Sequence, residues 1–126
     1  MNDSDVIIGL DHLQIAMPQG KEAQARAFYG GVLGLTELSK PPHLAARGGV
    51  WFSLGDQQLH LGVEREFRPA QKAHPAFLVR DLAGLRHRLE QRGFAPYEDE
   101  PLEGYERFYV ADPFGNRLEF LQRIGT

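Results

Sequence analysis

The chain has 126 residues, of which 42% are hydrophobic and 25% charged, the proportions of one soluble globular domain rather than a disordered tail or a membrane bundle. Fourteen basic against seventeen acidic residues give a net charge of -3 and no basic face for a nucleic acid backbone. There is no cysteine, which excludes disulfides, thiolate ligands and cysteine nucleophiles and restricts any metal to nitrogen and oxygen donors.

The start, Met1 to Asp5, is polar and acidic, without a basic n-region or a long apolar run. No signal peptide or membrane span is expected, and the cytoplasm is the default compartment. Residues Asp11 to Met17 alternate polar and apolar side chains, the pattern of a half-buried strand. About Glu22 to Leu33 reads as a helix with Phe28, Val32 and Leu35 on one side. Pro41-Pro42 then open a loop in which His43 has no evident task. Val50 to Leu54 and Gln58 to Val63 form two strands across Gly55-Asp56.

The charged stretch from Glu64 to Lys72 is a connector, and beyond it the pattern begins again. Ala73 to Val79 looks like a second copy of the first strand, with His74 standing 62 positions after His12. A second helix starts at Asp81, a good N-cap, carries Leu82, Leu85 and Leu89 at helical spacing, and stops at Gly93. His87 lies opposite that leucine stripe and is expected in solvent. Two last strands, Arg107 to Val110 and Arg117 to Leu121, flank the turn Asp112-Pro113-Phe114-Gly115-Asn116. Gly34 to Gly93 and His60 to Glu119 are both 59 positions apart. The fold class is therefore α+β. Two βαβββ modules, about residues 8–64 and 72–124, form a single domain over 1–126, with pseudo-twofold symmetry and a curved mixed sheet around a site.

Side chains alternate faces along a strand, so parity gives each residue a side. Leu13, Ile15 and Met17 form one face of the first strand and leave His12 on the other. By the same rule His60 opposes Leu59 and Leu61, His74 opposes Phe77, and Glu119 opposes Leu118 and Phe120. Trp51, Ser53, Arg107 and Tyr109 join them on the concave side. Any one of these histidines alone reads more readily as a half-buried structural group, and Glu119 alone as a solvated strand residue. Four such residues at repeat-equivalent places reverse that balance. Three imidazoles and a carboxylate suit a divalent cation such as zinc, nickel, manganese, iron or cobalt. Open coordination positions would then receive substrate oxygens.

These residues resemble the vicinal-oxygen-chelate superfamily, which includes glyoxalase I, fosfomycin-resistance proteins, extradiol dioxygenases and bleomycin-resistance proteins. The resemblance spans Leu10 to Arg123 and rests on Leu10-Asp11-His12, on Ala27-Phe28-Tyr29 through Leu33-Gly34-Leu35, and on Val110 through Glu119. It implies that His12, His74 and Glu119 are metal ligands, with His60 where glyoxalase I places a glutamate. Three histidines and one glutamate leave a site charge of +1 rather than zero. The stretch Tyr97 to Arg107 has no Ser, Thr or Lys, unlike the phosphonate-binding loop of fosfomycin-resistance proteins, and only Tyr109 matches a phosphonate-contacting tyrosine. The resemblance further implies a homodimer, in which halves of different subunits can combine around each metal.

The function expected is that of a small glyoxalase-like metalloenzyme, a lyase, isomerase or transferase, that chelates an oxygen-rich small substrate. Glu119, Tyr109 and Arg107 are its candidate catalytic residues, and Arg47 would help with charge and orientation. The alternative is a metal-free module of the bleomycin-resistance type that sequesters a ligand. A cupin barrel would need two histidines spaced by one residue, and no such pair occurs. No nucleic acid or membrane partner is expected.

Overall fold

The computed structural model describes residues 4–125, so residues 1–3 and 126 of the expected domain span lie outside it. The first strand, β1 (His12–Met17), buries Ile15 and Met17 and leaves His12 and Gln14 exposed, as the alternation requires. A helix follows: α1 (Glu22–Ala25) runs directly into a π-helical stretch (Arg26–Val32). The expected span is correct but the pitch is not, because the amide of Leu33 donates to the Phe28 carbonyl five residues back at 2.9 Å. Gly30-Gly31 hold α geometry weakly, and the wider turn seats the adjacent rings of Phe28 and Tyr29 in the core.

Two short elements escaped the sequence reading, β2 (Glu37–Leu38) and α2 (Pro42–Ala45), which places His43 in a helical turn rather than a loop. The hairpin β3 (Val50–Leu54) and β4 (Gln57–Val63) completes the first module, in the order β1-β4-β3-β2 with β1 parallel to β4. The second module contains β5 (Ala76–Leu78), α3 (Leu82–Gln91), β6 (Tyr105–Ala111) and β7 (Arg117–Arg123), in the order β5-β7-β6. A bridge from Tyr97 to Tyr109 stands where β2 stands in the first. The hydrogen-bonded ladders thus form two mixed sheets, one per module.

Register confirms the repeat more sharply than spacing did. His60 pairs with Gln14 and Trp51 on its two sides, and Glu119 pairs with Ala76 and Tyr109. His12 lies two residues before Gln14, as His74 lies two before Ala76. Both helices also end alike, at Gly34 (φ +79°) and Gly93 (φ +88°), in the left-handed region that glycine adopts without strain. The Asp81 side chain accepts the Gly84 amide at 3.1 Å and caps α3, as its position suggested.

One apolar core joins the modules: Phe28 meets Phe94 at 4.8 Å between centroids, and Phe120 meets both Phe77 and Phe108. The β6–β7 turn fastens them with polar bonds. Asp112 accepts the amides of Phe114 and Asn116 at 2.9 Å each, and the Tyr29 hydroxyl donates to its second oxygen at 2.6 Å. Asn116, fully buried, donates to the Ala16 carbonyl and accepts the Ala70 amide, both at 2.9 Å. Burial and the Asp112 carboxylate hold the Tyr29 phenol well above its usual range, so it is a fixed donor in this latch. No helix among the described residues is long and apolar enough to cross a membrane.

Candidate functional site

In the first module, His60 is 5% exposed and stacks against two rings. The Trp51 indole lies 3.9 Å away at an interplanar angle of 2°, and the His12 imidazole 4.3 Å away at 19°. His60 Nε2 meets Gln58 Oε1 at 2.9 Å, and His12 Nδ1 meets Asp11 Oδ1 at 2.9 Å. Burial, followed by the neighbouring His12, pushes the His60 imidazole below its ordinary value and favours the neutral ring. Its neutral lone pair is what a metal would need. His12 Nε2 and His60 Nδ1 make no hydrogen bond among the described residues.

The second module places a charged group at the equivalent point. His74 stands just ahead of β5 rather than inside a strand, as the alternation had suggested. Pro75 has no N–H to give the ladder, so pairing opens with its carbonyl, which accepts the Glu119 amide at 3.1 Å. The ring is fixed at both nitrogens, with Nδ1 2.9 Å from the Lys72 carbonyl and Nε2 2.8 Å from Glu119 Oε1. Arg107 Nη1 donates to Glu119 Oε2 at 3.1 Å, and its Nη2 donates to the Glu100 carbonyl at 2.6 Å. Burial alone would raise the Glu119 carboxyl; the hydrogen bonds from His74 and Arg107 outweigh it and hold the group below the usual carboxylate range. Tyr109 lines the same surface, with Arg117 4.1 Å and Arg107 5.5 Å from its ring and His74 edge-on at 5.6 Å.

Two acceptors, Lys72 O and Glu119 Oε1, therefore face both nitrogens of His74. A ring whose Nδ1 is tied to a carbonyl or carboxylate while Nε2 looks outward is the usual attitude of a metal-bound histidine. His12, tied to Asp11, has that attitude, whereas Nε2 of His74 already faces Glu119.

The four expected ligands are thus brought together two by two, His12 with His60 and His74 with Glu119. Among the described residues of one chain, no group of three or more such side chains is placed to hold a metal. Arg107 and Tyr109 join the second pair, as parity indicated, and Trp51 the first. Arg117 and Gln58 were missed. Arg117 shares the parity of Glu119 on β7, so the signal for it existed. His87 is exposed, as expected, and has no part in either pair.

Residues 9–120 match the family model of the glyoxalase/bleomycin resistance protein/dioxygenase superfamily. A crystal structure of a glyoxalase family protein from Bacillus anthracis is 46% identical, with a TM-score of 0.90 over 94% of this chain and 98% of that one. The fold is shared with a genomically encoded fosfomycin resistance protein from Listeria monocytogenes, at 16% identity, a TM-score of 0.73 and 96% coverage of each chain. It is shared also with lactoylglutathione lyase from Agrobacterium tumefaciens, at 22% identity and a TM-score of 0.67, over 94% of this chain and 95% of that one. The comparison with curated proteins gave no match. With its two-module topology, the matched span and the Bacillus relative, the chain belongs to the glyoxalase/bleomycin resistance protein/dioxygenase superfamily.

Proposed function

We propose that the protein is a divalent-metal enzyme of glyoxalase-like lyase or isomerase chemistry, acting as a homodimer on a small oxygen-rich substrate. In this reading His12 and His60 of one copy combine with His74 and Glu119 of a second. The observation that carries it is the attitude of the two outer histidines, both tied through Nδ1, with Nε2 of His12 left unbonded and Nε2 of His74 turned to Glu119. Four apolar side chains near the start, Val6, Ile7, Ile8 and Leu10, are 67–95% exposed, which supports burial against another copy.

The donor set of three imidazoles and one carboxylate suits zinc, nickel, manganese, iron or cobalt. A bound ion would polarise a carbonyl or stabilise an enolate oxygen, worth several kcal/mol of transition-state charge. The chain supplies the rest. Arg107 keeps Glu119 ionised and fixed, so that the carboxylate can take and return a proton beside a carbonyl. Tyr109, between two guanidinium groups and His74, walls the site and orients a negatively charged substrate.

A second reading, the metal-free sequestering module, is favoured by one observation. Within a single chain both Glu119 oxygens are already engaged, by His74 and Arg107. Metal analysis of protein purified without chelator, combined with thermal melts, separates the two. The enzyme reading expects bound divalent metal in the dimer and a melting temperature that falls with chelator. At a hundredfold excess over Kd, metal adds about 2.7 kcal/mol. Absence of metal, together with melts indifferent to manganese, nickel, cobalt and zinc, would leave the sequestering module.

A further inference from the structure

Beside the first pair of histidines lies a cavity of about 260 Å³. Its position follows from register, since Gln14 and Trp51, two of its walls, are the residues paired with His60 on either side. Two residues further along β4, on the face of His60, stands Gly62, paired with Ala16. These small side chains leave a depression in the sheet, and the Gln14 amide lies over it. A Cβ at Gly62 would come within 2.7 Å of that amide, so the hollow exists because position 62 has no side chain.

The remaining walls come from the segment between β2 and β3, with Lys40, Leu44 and Arg47. Lys40 Nζ donates to the Gly48 carbonyl, and Arg47 makes no ion pair among the described residues. Glu22, the nearby carboxylate, accepts the Gly49 amide at 2.9 Å and feels the charge of Lys40. Two like charges thus share one wall, next to an indole face and an amide, and the single nearby carboxylate, Glu22, offsets only one of them. Such an arrangement is stabilised by a bound anion. The volume lies below the roughly 300–1,000 Å³ of pockets that take whole drug-sized ligands, so it fits an end group.

We infer that this cavity is the anion subsite of the active site, receiving a carboxylate or phosphate at one end of the substrate while the other end lies over His12 and His60. The inference rests on the proposed function for the second half of that statement only. Lys40 and Arg47 hold the anion, Gln14 donates to it, and Trp51 packs on the carbon skeleton between subsite and histidines. The ligand class is a small organic acid or phosphate monoester, not a neutral sugar or diol.

Trp51 is the only tryptophan, so its fluorescence reports on this wall and on His60, against which the indole stacks. Metal-free dimer, prepared with chelator and dialysed, is titrated with succinate, glycerol 3-phosphate and neutral glycerol at matched ionic strength, then again after loading with manganese. The expected result is a saturable change with succinate or glycerol 3-phosphate, the tighter of the two naming the group, and none with glycerol. Arg47→Gln, at an exposed position, and Lys40→Gln should each weaken that binding about tenfold, with melting temperature and manganese affinity kept. A response equal to wild type in the protein carrying both Arg47→Gln and Lys40→Gln, or no saturation with either anion, overturns the subsite. If manganese does not bind but the anion response persists and needs both cations, the subsite stands and the metal enzyme falls. Manganese binding without an anion response does the reverse.

Discussion

The two modules place equivalent backbones around opposite chemistries. At the same register point one carries His60 between Trp51 and Gln14, and the other carries Glu119 between Tyr109 and Ala76. The first half is a stack of flat rings with a neutral imidazole at its centre; the second is an ionic knot of Glu119, His74 and Arg107. The ladder fixes where a side chain points, and residue identity decides what it brings. A repeat of this kind can divide a metal site into a half that supplies uncharged donors and a half that supplies the charge.

The coupling of the halves is the largest effect to break. Asn116→Ala should leave the Ala16 carbonyl and the Ala70 amide unpaired, at about 1–3 kcal/mol for each. Urea unfolding measures this directly. A loss under about 0.5 kcal/mol would mean that the turn does not join the modules, since ordinary surface changes have effects of that size.

Next in size is the difference between the two central residues. Glu119→Gln keeps the shape but removes the one negative charge of the set, and metal affinity should fall by more than about a hundredfold, beyond the 10–100-fold seen when only an outer partner is lost. His60→Ala removes a ring already bonded to Gln58 and stacked on Trp51, and should keep measurable metal, with affinity down about tenfold and selectivity between metals altered. Competition titrations with a metal-sensitive dye read both. Equal losses would make His60 a full ligand; full occupancy in Glu119→Gln would remove the carboxylate from the set.

How much of this was legible depends on distance along the chain. The caps at Asp81, Gly34 and Gly93 and the strand parities are local, and the sequence displays them. So is Pro75, and it foretold that His74 would sit outside the ladder, had its missing N–H been counted. The π-helical widening at Arg26–Val32 depends on how two rings pack against a sheet, which no periodicity encodes. In the sequence Gly62 is one more residue of the Gln58 to Val63 strand, and the hollow it leaves beside Gln14 exists only in the folded sheet. The separation of the four metal candidates into two pairs is tertiary, because parity assigns faces within a sheet and says nothing of how two sheets face each other.

The smallest effects distinguish the halves by pH in the metal-free protein. Each central group has a folded-state pKa below its unfolded value, Glu119 as an ionised carboxylate and His60 as a neutral ring. Where the unfolded chain binds the extra proton, stability falls with falling pH. For His60 that loss begins below about pH 6.5, the unfolded value, and ends at its lower folded value; for Glu119 it begins only below about pH 4.3. Wild-type stability from urea melts should therefore show two descending limbs. His60→Gln should flatten the upper limb and leave the lower, and Glu119→Gln should leave the upper and reduce the lower, which Glu22, held low by its bond to the Gly49 amide, also feeds. If one substitution flattens both, the halves are not independent in one chain, and a single coupled cluster must replace the picture of two.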